Sequence, residues 1–131
     1  MGFLLDTNVP SVRPHGDRRV HQRVSQYGGR LFVSAVTLAE VFAWPRVQTS
    51  AALREDIDLL LDGLHVLPFD EPVARRFGAV SAALRAAGTP LPFADLLIAV
   101  TALEHDLTVV TANRRDFDPV PALRVDDWTT P

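Results

Sequence analysis

Four acidic residues stand in or just beside strongly apolar stretches: Asp6, Glu40, Asp95 and Asp116. Asp6 ends the run Gly2-Phe3-Leu4-Leu5, so a strand there presents a carboxylate at its C-terminal end, where open α/β sheets build their sites. Burying several carboxylates near one another is costly, because like charges repel and desolvation adds to the penalty. A divalent cation is the natural counterion. Hard oxygen ligands of this type suit magnesium or manganese and point to metal-assisted attack of water on a phosphodiester. Taken singly, each acid has a plainer reading: Asp6 as a turn residue, Glu40 as a solvated helix residue, Asp95 as a partner of a helix dipole, and Asp116 as a loop aspartate.

The elements that must position these acids follow from the pattern of apolar residues. Short Leu- and Val-rich runs at 3–5, 31–33, 65–67, 107–110 and 123–125 are strand candidates, and helical patterns separate them. Strands alternating with helices predict an α/β fold, a parallel sheet of about five strands covered on both faces. Asn8 is placed to cap a short first helix, and Asp17 to cap a second that ends at Gly28-Gly29. Ser34 caps the helix that carries Glu40, which Pro45 stops. From 48 to 64 the pattern is amphipathic. Asp70-Glu71-Pro72 opens a further helix that Gly88 closes. The segment 92–103 is apolar nearly all round, the mark of a helix buried by neighbours on every side, and Asp95 is its only charge. The helix dipole offers that carboxylate about 0.3–1 kcal/mol, less than the several kcal/mol that burial costs. Asp95 is therefore either exposed or compensated by something else.

Bulk composition narrows the classes. At 131 residues, 47% of them hydrophobic, the chain is read as one domain, 1–131, with a substantial core. No stretch approaches the roughly 18 apolar residues of a membrane span, and Asp6 falls where a signal peptide would carry its apolar region. A cytoplasmic protein with no membrane partner is expected. Cysteine is absent, which removes disulfides, thiolate nucleophiles and Cys-ligated zinc. All 13 basic residues other than histidine are arginine, so Walker A and Schiff-base lysine chemistry is excluded. The net charge of −3 argues against a strongly basic nucleic-acid binder without reporting on local patches. Arg13, Arg18, Arg19 and Arg23, with His15 and His21, form the most basic segment, read first as a solvated helix face and otherwise as a phosphate contact, whereas Arg114-Arg115, adjoining Asp116, reads as a phosphate contact. The four histidines lack metal-ligand spacing, and His65 reads as structural.

The four acids lie in recognisable frames: Leu4-Leu5-Asp6-Thr7-Asn8, Val36-Thr37-Leu38-Ala39-Glu40-Val41, Phe93-Ala94-Asp95-Leu96-Leu97-Ile98-Ala99, and Val110-Thr111-Ala112-Asn113-Arg114-Arg115-Asp116-Phe117. These frames resemble the PIN-domain nucleases, and more closely the VapC toxins of VapBC toxin–antitoxin pairs. The resemblance covers essentially the whole chain, down to Leu123-Arg124-Val125-Asp126-Asp127-Trp128. It implies a PIN-like three-layer α/β/α fold in which Asp6, Glu40, Asp95 and Asp116 converge as catalytic residues, with Asp6, Asp95 and Asp116 holding Mg2+ or Mn2+. Thr7, Asn8, Thr111 and Asn113 are the expected supporting residues. The fourth acidic position is open, since Asp118 is two residues from Asp116 and Asn113 or Thr111 can share its role. The resemblance further implies endoribonuclease activity on tRNA or ribosomal RNA, a VapB-type antitoxin and a homodimer. The antitoxin is expected on the amphipathic stretch 47–64 and the neighbouring Phe42 and Trp44, with Leu53 and Ile57 read as core. A non-catalytic PIN-fold module that binds RNA or protein is the alternative. A haloacid-dehalogenase-type phosphatase needs an aspartate where Asn8 stands, and a response-regulator receiver needs a lysine; both fit poorly.

Overall fold

Five short apolar runs form a wholly parallel sheet in the computed structural model, which describes residues 1–6 and 18–130. The elements are β1 (Gly2–Leu5), α1 (Arg18–Gln26), β2 (Leu31–Ser34), α2 (Ala35–Phe42), α3 (Pro45–Thr49), α4 (Ala51–Asp62), β3 (His65–Leu67), α5 (Glu71–Ala86), α6 (Phe93–Glu104), β4 (Leu107–Val110) and β5 (Val125–Asp126), with a 3-10 turn at Arg114–Phe117. Strand order is β3-β2-β1-β4-β5. The chain winds outward from β1 to β3 and then crosses to the opposite side of β1, so the crevice between the C-terminal ends of β1 and β4 is the point where the winding reverses. Open α/β sheets place ligands at such a crevice.

Period-two alternation divides the core between the two faces of the sheet. Leu4 and Val109 point to one face, where α5 and α6 contribute Val73, Leu84, Leu96 and Val100. Phe3, Leu5 and Val110 point to the other, against Val20 of α1 and Trp128. The result is a three-layer α/β/α arrangement. Residues 96–102 of α6 are all buried, as its unbroken apolar pattern predicts, and Thr101 Oγ1 satisfies itself on the Leu97 carbonyl at 2.7 Å. No helix among the described residues is long and apolar enough to cross a membrane.

Local sequence sets the helix limits. Ser34 ends β2 and begins α2 with no linker, its Oγ accepting from the N–H groups of Val36 and Thr37. Asp70 Oδ1 accepts from Val73 N at the start of α5. At its other end Gly88 takes φ 75°, its N–H donates to Arg85 O and that of Thr89 to Leu84 O, the paired bonds of a Schellman cap. The expected cap by Asn8 and the cap residue Asp17 lie outside the described residues.

Three boundaries differ from expectation. Pro45 ends α2 and also opens α3, because a proline lacks the N–H that the first turn leaves unpaired anyway. Ser50 then caps α4 through Leu53 N, splitting the amphipathic stretch into two helices. The last strand is Val125–Asp126, with Leu123 packed on the core instead of lying in the sheet. The apolar stripe of 47–64 is turned inward: Val47, Leu53 and Ile57 are buried with Val41, while Phe42 and Trp44 are half-buried against them. The large apolar side chain left exposed on α4 is Leu59.

Candidate metal centre

Asp6 follows β1 directly. Its N–H extends the sheet by donating to Val110 O at 3.0 Å, and the residue is 3% exposed. Thr111 occupies the equivalent place after β4 and is also buried. Its Oγ1 donates to Asp6 Oδ2 at 2.8 Å while accepting from Asn113 N at 3.0 Å. The hydroxyl therefore has one proton to give and gives it to the carboxylate, so the direction of the bond is fixed by the Asn113 amide.

The other acids arrive on helices. Glu40 sits on α2, carried to the sheet edge by the linker-free turn at Ser34. Asp95 lies in the first turn of α6, which Pro92 begins without any side-chain cap, leaving the positive end of that helix directed at the carboxylate region. Asp116 is exposed on the 3-10 turn after β4.

Electrostatics ties these positions together. Partial burial raises the Glu40 carboxyl above its ordinary 4.5, and the charges of Asp6 and then Asp95 raise it further. Asp95 is raised above its ordinary 3.8 by desolvation, then by Asp6, then by Asp116. Each of the four acids thus acts on, or is acted on by, at least one other, and Asp6 acts on two. Asp116 is among the charges that raise Asp95. Thr7 and Asn8 lie outside the described residues, as do Arg13 and His15. Arg114 and Arg115 are exposed beside Asp116, and neither makes an ion pair among the described residues. Arg19 and Arg23 of the basic segment turn instead to the Thr129 carbonyl and the Tyr27 hydroxyl. His65 stacks on Phe32 and bonds to Gly29 O, a structural place.

Among the described residues no three acidic or imidazole groups form a ready ligand cage. The four acids offer only oxygen donors, and the charge of Asp6 raises both Glu40 and Asp95, so the set fits a hard divalent cation. Sequence reasoning missed one contributor. The Asp126 carbonyl accepts from Thr111 N at 3.0 Å, a contact set by the pairing of β4 with β5, which the strand pattern anticipated only to within two residues.

The PIN domain family model matches residues 3–123. The tRNA(fMet)-specific endonuclease VapC of Salmonella typhimurium is 30% identical, with 96% of this chain and 97% of that protein covered. Toxin FitB of Neisseria gonorrhoeae is 32% identical over 96% of this chain and 98% of its own length. Among solved structures, the DNA-bound VapBC of Salmonella typhimurium aligns with a TM-score of 0.83 at 29% identity, covering 98% of each chain. With a family match over nearly its full length and VapC relatives aligned end to end, the chain belongs to the PIN-domain family, in its VapC toxin branch.

Proposed function

We propose that this chain, as a single PIN domain, is the ribonuclease toxin of a toxin–antitoxin pair and cuts structured cellular RNA in a reaction dependent on Mg2+ or Mn2+. The observation that carries this reading is the buried Asp6 carboxylate, held by Thr111 where the sheet's winding reverses, with Glu40 and Asp95 both raised by its charge. Asp6, Asp95 and Asp116 would hold the ion, which when bound lowers the pKa of water and offsets charge on the phosphate oxygens. Thr111 fixes the orientation of the Asp6 carboxylate through its hydroxyl. Glu40, whose proton affinity its acidic neighbours raise, is suited to accept the proton of the attacking water. Water adds to phosphorus, its proton passing to Glu40, and the P–O3′ bond breaks with the departing O3′ taking a proton from solvent, leaving a 5′-phosphate and a 3′-hydroxyl. Arg114 and Arg115, free of ion pairs among the described residues, are placed to contact flanking phosphates. Similarity to the Salmonella endonuclease favours tRNA as the substrate.

The test is cleavage of total tRNA by the purified protein. EDTA is expected to stop it and Mn2+ to restore it, whereas RNA binding without metal-dependent cleavage would support the non-catalytic module instead.

The VapBC complexes among the structural relatives favour a VapB-type antitoxin as partner; in this reading the antitoxin directs a basic side chain toward the acidic residues and the pair acts in the cytoplasm. A second copy is the other expected partner. Its face is the α5–α6 cleft of about 360 Å3, where Phe93, 65% exposed, rests on Phe77 with ring centroids 5.2 Å apart. An exposed aromatic over a cleft of mixed polarity, where Ser81 and Arg85 stand beside Leu84 and Leu91, suits a self-complementary contact about a two-fold axis. Phe93→Asp is expected to turn a dimer into a monomer in light scattering; a dimer that persists would remove this face from the assembly.

A further inference from the structure

The chain's last described segment reaches the acidic pocket from beneath. Trp128 is 2% exposed and belongs to the same buried cluster as Leu5 and Val110, the residues immediately before Asp6 and Thr111. Its indole meets Phe3 edge-on at 5.2 Å and stacks on Tyr27 at 5.7 Å, so it sits under β1 from the α1 side. Its Nε1–H donates to Asp126 Oδ2 at 3.2 Å. The backbone of that same Asp126 accepts from Thr111 N, and Thr111 Oγ1 donates to Asp6 Oδ2. A continuous path of three hydrogen bonds therefore runs from the indole to the central carboxylate, alongside the direct packing. Further contacts pin the segment: Asp127 Oδ1 accepts from Thr129 N, and Arg19 of α1 holds the Thr129 carbonyl at 2.9 Å.

We propose that Trp128 is a positioning residue for the acidic pocket: it clamps Asp126 against the Thr111 backbone, and through the Thr111 hydroxyl it sets the Asp6 carboxylate for its ligand. This rests on the metal-dependent reading of the pocket given above. Residues that orient a ligand without touching the ion commonly govern affinity by an order of magnitude or more, because a carboxylate free to rotate must be ordered when the ion binds. A purely structural role predicts something different. Loss of the indole would then lower stability as any core change does, with no selective effect at Thr111 or on metal affinity.

The experiment compares Trp128→Phe, which keeps an aromatic ring in the cluster, loses part of the indole's bulk and removes the N–H donor, with Val73→Ala, a buried loss of volume in the cluster on the opposite face of the sheet. Three readouts are taken: amide exchange at Thr111 in metal-free protein, Mn2+ affinity by calorimetry, and kcat and KM on RNA. Trp128→Phe is expected to speed Thr111 exchange and weaken Mn2+ binding about 10-fold. It should also lower kcat at limiting metal with KM for RNA unchanged, and recover kcat in excess Mn2+. Val73→Ala is expected to lower the melting temperature and leave Thr111 exchange and Mn2+ affinity as in wild type. Wild-type exchange and affinity in Trp128→Phe, or equal changes in Val73→Ala, would overturn the proposal. A wild-type protein that neither binds Mn2+ nor cuts RNA would defeat the nuclease reading and its metal role for Trp128, while Thr111 exchange still decides whether the clamp exists.

Discussion

The Asp95→Asn protein is expected to melt a few degrees above wild type in metal-free buffer at neutral pH and to lose RNA cleavage by at least about 10²–10³-fold. The two effects have one origin. Asp95 is half-buried in the first turn of α6, and desolvation, Asp6 and Asp116 all disfavour its charge. An amide of the same shape removes the repulsion and keeps the packing, so the fold is relieved of a strain that the ion alone would offset. The pH dependence follows with a definite sign. Because Glu40 and Asp95 are raised in the folded protein, the native state holds more protons than the unfolded chain from the ordinary values of 4.5 and 3.8 upward to the raised ones. The stability of the metal-free wild type therefore falls as pH rises through that window. Asp95→Asn should show a shallower fall, and Mn2+ should stabilise the wild type more at pH 8 than at pH 5. Thermal melts across pH with and without Mn2+ check both. A variant less stable than wild type at neutral pH would mean that Asp95 is held by a favourable partner and not opposed by its neighbours.

What the sequence made legible was local chemistry. A strand that ends on Asp6, a serine that caps the Glu40 helix, a glycine that closes α5 and an all-apolar α6 each depend on a handful of adjacent residues, and each stands where the pattern put it. Pro45 was harder, because the same missing N–H that ends one helix is harmless at the start of the next. The stripe on α4 shows a second limit. Periodicity reports that a helix has an apolar face, and only the tertiary arrangement reveals that Val41 and Val47 of this same chain cover it. The convergence of the acids was the least local feature. Two helices separate β3 from Asp95, so no spacing argument brings that carboxylate to β1; its expected place came from the family resemblance, and the structure adds that the charge of Asp6 bears on both Glu40 and Asp95. Which residue of the turn after β4 serves as the fourth ligand was open in the sequence between Asp116, Asp118 and Asn113; the charge of Asp116 bears on Asp95, which favours it.

Thr111→Val should do the reverse of Asp95→Asn to stability while also impairing cleavage. Valine has nearly the shape of threonine, so the buried space at this position stays filled. What is lost is a hydroxyl that donates to a buried carboxylate and accepts from the Asn113 amide. Removing a donor from a buried charged group costs about 2 kcal/mol, on the order of 8 °C for a domain of this length. Cleavage should fall about 10-fold or more, because Asp6 loses the contact that fixes its rotation. Thr111→Ser, which keeps the oxygen and deletes only a methyl, should restore most of the activity and part of the stability. The decisive measurement is the double variant. Once Asp6→Asn has discharged the acceptor, the further change Thr111→Val should cost distinctly less than in wild type, since a neutral amide needs the donor less than a carboxylate does. If the two losses instead add, the Thr111 hydroxyl serves the Asn113 turn alone and the orientation of Asp6 is set elsewhere.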